Sequence, residues 1–139
     1  VRAGQPPSAK ELRVVEHGKP SALDRTGRPL RVTWRKDVGS ITVSVEGEID
    51  LYTSALLDAA LQDVEQLTTQ GDRFVVDLAQ VAFLGAAGLH VLVGSQQRCS
   101  QRNVAFLVVA AHRTVTRPIH LTGLAGQLCL VSRPPTGSG

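Results

Sequence analysis

Hydrophobic and polar positions alternate from Leu30 onward: Leu30, Val32 and Trp34 are interleaved with Arg31, Thr33 and Arg35. A period of two is that of a β-strand with one wet face. Lys36, Asp37, Val38 and Gly39 supply a turn, and Ile41, Val43 and Val45 then alternate with Thr42, Ser44 and Glu46. The two strands therefore predict a hairpin, after which Gly47, Glu48, Ile49 and Asp50 lead the chain out of the sheet. From Thr53 or Ser54, either a suitable N-cap, the apolar period changes to three and four through Leu56, Leu57, Ala60, Leu61, Val64 and Leu67. That spacing predicts an amphipathic helix ending before Gly71.

The centre of the chain is residues 73–99. Phe74, Val75 and Val76 run into Asp77 as a buried strand, and a short link after Leu78 carries Val81, Phe83 and Leu84 into the corner Gly85, Ala86, Ala87 and Gly88. Leu89, Leu92 and Val93 then predict a helix packed on the sheet. Residues 104–109 are continuously apolar, as interior strands of a parallel sheet are. Arg113 or Thr114 opens a last helix through Val115, Ile119 and Leu121, with Gly123 as its left-handed terminator. Pro118 predicts that this helix starts late or kinks, because proline removes an i to i−4 bond. Residues 128–131 give a final short strand.

The order strand, strand, helix, strand, helix, strand, helix, strand predicts an α/β fold with a mixed, mostly parallel β-sheet packed against helices and an opening β-hairpin. The 139 residues suffice for one domain with a real core and are too few for two ordinary ones. The domain is expected at 30–132, between a flexible basic leader at 1–29 and a flexible tail at 133–139. Within the leader, Leu12, Val14 and Val15 suit a short strand or weak docking. No apolar run approaches the length of a membrane span, and the first residues lack the order of a secretory signal, so a cytoplasmic protein is expected.

Charge changes the picture little. Residues 1–31 hold seven Lys or Arg against three Asp or Glu, and the rest of the chain holds eight against nine, within a net charge of +3. The basic leader is diluted with Pro, Ala and Gly and carries no aromatic residue for base stacking, so direct nucleic-acid binding is not expected.

Catalytic chemistry has no obvious carrier, and neither catalytic residues nor a cofactor is assigned. His17, His90, His112 and His120 form no HxxxH or HExxH spacing, and surface imidazoles account for them. Glu46, Glu48 and Asp50 cluster at the end of the second strand, where capping or loop hydrogen bonds explain them better than a metal does. The corner at 85–88 has neither the lysine of a GxxxxGK[ST] loop nor the spacing of GxGxxG. Its unpaired helix-start amides would suit an anion or a partner's carboxylate. Cys99 and Cys129, thirty positions apart, form no zinc quartet. They are either inert thiols or a redox pair linking the central helix to the last strand.

In this order and spacing, several short motifs resemble the STAS domains, named for sulphate transporters and bacterial anti-sigma factor antagonists. They are Gly47-Glu48-Ile49-Asp50 followed by Thr53-Ser54-Ala55, Val75-Val76-Asp77-Leu78, Phe83-Leu84 before the corner, Gly88-Leu89 after it, and Leu121-Thr122-Gly123-Leu124. The resemblance covers residues 30–131. It implies a non-enzymatic antagonist that binds an anti-sigma factor of histidine-kinase-like ATPase fold and frees a sigma factor. It also implies a corner of the form Asp-Ser-Ser-Gly or Asp-Ser-Thr-Gly, whose first hydroxyl is the phosphoacceptor. Here Gly85-Ala86-Ala87-Gly88 stands instead, and Ala86, at the lost phosphoacceptor position, has no oxygen to modify. The implied partner surface is Glu48, Asp50, Leu51 and Tyr52 together with Gly85, Ala86, Ala87, Gly88, Leu89 and His90. Two other readings are a STAS scaffold or assembly subunit of a signalling complex, which needs no acceptor, and a small-ligand or redox sensor.

Overall fold

The computed structural model describes residues 23–134. The expectations for residues 12–15, for His17 and for the last five residues fall outside that span. The alternation after Leu30 gives β1 (Arg31–Asp37) and β2 (Ser40–Ile49), paired antiparallel from Arg31 opposite Glu46 to Asp37 opposite Ser40. The helical spacing gives α1 (Ser54–Glu65), and the central strand and helix are β3 (Arg73–Leu84) and α2 (Ala86–Gln101). Then come β4 (Ala105–Val109), α3 (Arg113–Leu121) and the two-residue β5 (Leu130–Val131).

The sheet runs β1-β2-β3-β4-β5, parallel after the first pair. Each parallel step moves to the adjacent strand in the same direction, so right-handed crossovers put all three helices on one face. Between that face and the helices lies the core, including Ile41, Val43, Phe74, Val76, Leu57 and Leu92, all fully buried. Phe74 and Phe106 stack across β3 and β4 with ring centroids 6.1 Å apart. Each such side chain contributes about 1.5–3 kcal/mol by leaving water. The opposite face carries Thr33, Arg35, Thr42, Ser44, Arg73 and Asp77 around an open groove of about 540 Å³.

Three details depart from the periodicity. β2 continues to Ile49 and β3 to Leu84, because register shifts between Ser44 and Glu46, and again between Gly47 and Glu48, keep the two strands paired past the expected exit. Gly47 takes φ +122°, a backbone that side chains rarely adopt, beside Pro29 and Leu30. α3 starts at Arg113 and continues with Pro118 inside it, so it begins no later than the earliest of the two predicted starts. Two helix ends are built alike. Gly123 closes α3 with φ +76°, its amide donating to His120 O and that of Leu124 to Ile119 O. Asn103, φ +60°, does the same for α2 through Ser100 O and Cys99 O. Both are Schellman closures, and Asn is the side chain that best tolerates the left-handed position glycine usually fills.

An ion pair with a buried carboxylate and a partly exposed arginine ties α1 to α2. The Glu65 carboxylate, 3% exposed, receives Arg98 Nε at 2.7 Å and Nη2 at 3.0 Å, and the Ser95 hydroxyl donates to it as well. Arg102 donates to the Glu65 and Thr68 carbonyls, closing the end of α1.

Candidate functional site

Parallel pairing places the ends of β2 and β3 together, with Ile49 opposite Leu84, and the Gly85 amide donates to Ile49 O at 2.9 Å. The two segments assigned to partner binding, 48–52 and 85–90, are thereby neighbours at one end of the sheet.

Asp50 shapes the first segment. Its Oδ1 accepts the Tyr52 amide at 2.9 Å and the Thr53 amide at 3.1 Å, and its Oδ2 accepts the Arg25 amide at 2.8 Å. Thr53 completes the loop by accepting the Asp50 amide on its hydroxyl and donating that hydroxyl to Glu48 O. Asp50 is only 7% exposed. Burial pushes its carboxyl up, but the Arg25, Thr53 and Tyr52 amides and the Thr53 hydroxyl outweigh that push and hold it below the ordinary aspartate value. The carboxylate is thus engaged inside the fold, and what the loop presents outward is Leu51, 74% exposed, and Tyr52, 63% exposed.

The second segment starts α2. Gly85 is the N-cap with extended backbone and no side-chain cap. Ala86 and His90 are exposed, Gly85 and Ala87 half-buried, and Gly88 and Leu89 buried. A Cβ on Gly88 would stand 2.4 Å from Ile49 Cγ2 and 2.7 Å from Leu84 Cδ1. The missing side chain lets the first turn of α2 rest directly on the two strand ends, which fixes the corner against the 48–52 loop.

Glu48 and Glu46 both find cationic partners: Arg31 lies 3.7 Å from Glu46, and Arg25 Nε donates to Glu48 at 3.1 Å. The Arg25 guanidinium also lies 4.6 Å from the centroid of the Phe83 ring. Arg25 belongs to a turn in which Asp24 Oδ1 accepts the amides of Thr26 at 2.8 Å and Arg28 at 3.0 Å. Arg25 lies within the stretch expected as a flexible leader, residues 1–29. Its only sequence signal is the Asp24-Arg25-Thr26-Gly27 turn composition just ahead of Leu30.

Cys99 and Cys129 are both free thiols, Cys99 buried and Cys129 exposed. Burial pushes the Cys99 thiol up to about 12, aided by the nearby Glu65 charge. Among the described residues no three His, Cys, Asp or Glu side chains gather to hold a metal ion, and no helix is long and apolar enough to cross a membrane.

Comparison with known proteins converges on one family. The STAS domain family model matches residues 31–134. The anti-sigma-F factor antagonist RsfB of Mycobacterium tuberculosis is 39% identical over 95 residues, covering 68% of this chain and 75% of that protein. The anti-sigma-B factor antagonist of Listeria monocytogenes is 29% identical over 65% of this chain and 77% of its own. Among solved structures, an anti-sigma factor antagonist from Mycobacterium paratuberculosis superposes with a TM-score of 0.68 at 34% identity, covering 75% of this chain and 86% of that one. The chain belongs to the STAS domain family, in its anti-sigma factor antagonist branch.

Proposed function

We propose that this protein is a non-enzymatic anti-sigma factor antagonist that docks through the 48–52 loop and the 85–90 corner onto an anti-sigma factor of histidine-kinase-like ATPase fold, releasing a sigma factor. The observation that carries the reading is the meeting of these two segments at one end of the sheet, with Leu51 and Tyr52 exposed on the loop after β2 and Ala86 and His90 exposed at the start of α2. Large apolar and aromatic side chains of this kind are what fill the centres of protein interfaces.

Control by phosphorylation at the corner has no acceptor here. A phosphoryl group would add about −1.5 to −2 charges to the contact surface and expel a partner. Residues 85–90 hold no hydroxyl. The protein therefore works as an antagonist held in its binding form with respect to that switch. The test is to titrate it against the histidine-kinase-like anti-sigma factors of its organism, then repeat after incubation with Mg-ATP while following intact mass. Binding to one of them with unchanged mass and affinity is expected. A phosphorylated product with weakened binding would overturn the loss of the switch, and no binding by folded protein to any of them would overturn the antagonist assignment.

A further inference from the structure

The turn ahead of β1 is anchored to the docking end of the sheet by its backbone. The Arg25 amide donates to the buried Asp50 carboxylate, Asp24 closes the turn, and Leu30, 1% exposed, plugs its far side into the core. A partner meeting the 48–52 loop cannot clear this turn away without breaking those contacts.

The Arg25 side chain is held differently. Its guanidinium spans Glu48 and the Phe83 ring, and the Arg25 side chain is 57% exposed against 20% for that of Glu48. The carboxylate lies beneath and the cation above, so the charge facing outward is positive. Phe83 carries the patch on to the corner: a Cβ on Gly85 would lie 3.2 Å from Phe83 Cε2. Arg25, Phe83 and the start of α2 are therefore consecutive parts of one surface, and the start of a helix itself favours negative charge. An exposed pair such as Arg25 with Glu48 contributes little in water. Among the described residues only its Nε donates, to Glu48, which leaves the Nη groups to offer a second carboxylate the fork geometry of arginine.

We propose that Arg25 is the basic edge of the docking surface and that the anti-sigma factor meets it with an Asp or Glu carboxylate. The proposal rests on the antagonist reading above. It makes the segment before the family-matched region, residues 24–29, part of the interface.

The experiment compares full-length wild type with Arg25→Ala, Arg25→Lys and Arg25→Glu, using calorimetry and association kinetics at two salt concentrations against an anti-sigma factor that wild type binds. Arg25→Ala is expected to weaken binding about tenfold or more, as loss of an arginine anchor does. Arg25→Glu should weaken it further, and Arg25→Lys should recover part of the loss. The association rate of wild type should fall with salt more steeply than that of Arg25→Ala. Thermal midpoints of the free variants close to wild type separate this from a folding effect. Unchanged affinity in Arg25→Ala, or an equal salt response, would overturn the proposal. Tighter binding would overturn it too, showing that the side chain shields Glu48 from a basic partner. If wild type itself binds no anti-sigma factor, the antagonist reading falls and this proposal with it.

Discussion

Replacing Gly88 by alanine adds one methyl group at the place where α2 rests on the strand ends. In an exposed helix interior, Gly→Ala stabilises by about 1 kcal/mol, because glycine loses more backbone freedom on folding. At Gly88 the added carbon would meet Ile49 Cγ2 at 2.4 Å and Leu84 Cδ1 at 2.7 Å. Comfortable carbon contacts lie at roughly 3.5–4.0 Å, so the overlap is about an ångström on two side chains at once. Ile49 is 0% exposed and Leu84 2%, and neither has solvent to move into. Overpacking of this severity costs about 3 kcal/mol. Set against the propensity gain, the net destabilisation is about 2 kcal/mol, or roughly 8 °C in the thermal midpoint of a domain this size.

Gly94 is the internal control. It lies in the same helix, and among the described residues a Cβ there meets Arg98 Nη1 alone, at an ordinary 3.5 Å. Gly94→Ala should therefore stabilise by about 0.5–1 kcal/mol. Urea unfolding of both variants, with m-values checked against wild type, measures the difference. Equal effects of the two substitutions, or a Gly88→Ala protein as stable as wild type, would refute the argument that close approach at Gly88 positions the corner.

Arg98→Met should cost about 3 kcal/mol in urea unfolding, because Glu65 would stay buried without its bidentate partner, and Glu65→Gln in the same background should recover part of that loss. Asp50 gives a pH dependence. Its folded pKa lies below the ordinary 3.8, so its stabilisation is present above that pH and is lost as pH falls through the folded value. Asp50→Asn should therefore be less stable than wild type at neutral pH, and the gap should close on acidification below about pH 4; a gap constant with pH would contradict this. Cys129 should react with a thiol reagent at pH 8 in the native protein while Cys99, raised to about 12 and buried, reacts only on unfolding. Two fast-reacting thiols in the native state would count against the buried placement.

The strands and helices were legible because their periods are regular. Residues 31–37 and 40–46 alternate, α1 repeats at three and four, and residues 104–109 are an unbroken apolar run. The extensions of β2 and β3 were not, since register shifts at Glu46 and Glu48 depend on two strands at once and leave no periodic trace in either. The late start that Pro118 suggested does not occur, because one lost backbone bond is outweighed by the burial of Val115 and Ile119 on the apolar side of α3. At the site, the corner at 85–88 stood out by its composition, while the loop before Tyr52 was joined to it only through the family resemblance. Which way Asp50 points was not visible, because three of its donors are backbone amides and one of those comes from Arg25, twenty-five positions away. Arg25 itself was hidden in a stretch whose prolines and scattered charges read as leader. The Glu65, Ser95 and Arg98 cluster likewise joins residues of two helices that no single motif links.

The central claim is that the corner at 85–88 contacts the anti-sigma factor and that Ala86 occupies the position where a charge would break that contact. The most direct measurement is a paired titration of wild type and Ala86→Glu against an anti-sigma factor that wild type binds. Ala86 is exposed at the first position of α2, so a glutamate there leaves the fold intact and places a negative charge on the surface, where a phosphoryl group would. The account predicts normal thermal stability for Ala86→Glu and binding weakened by about tenfold or more. Wild-type affinity in a stably folded Ala86→Glu protein would contradict it.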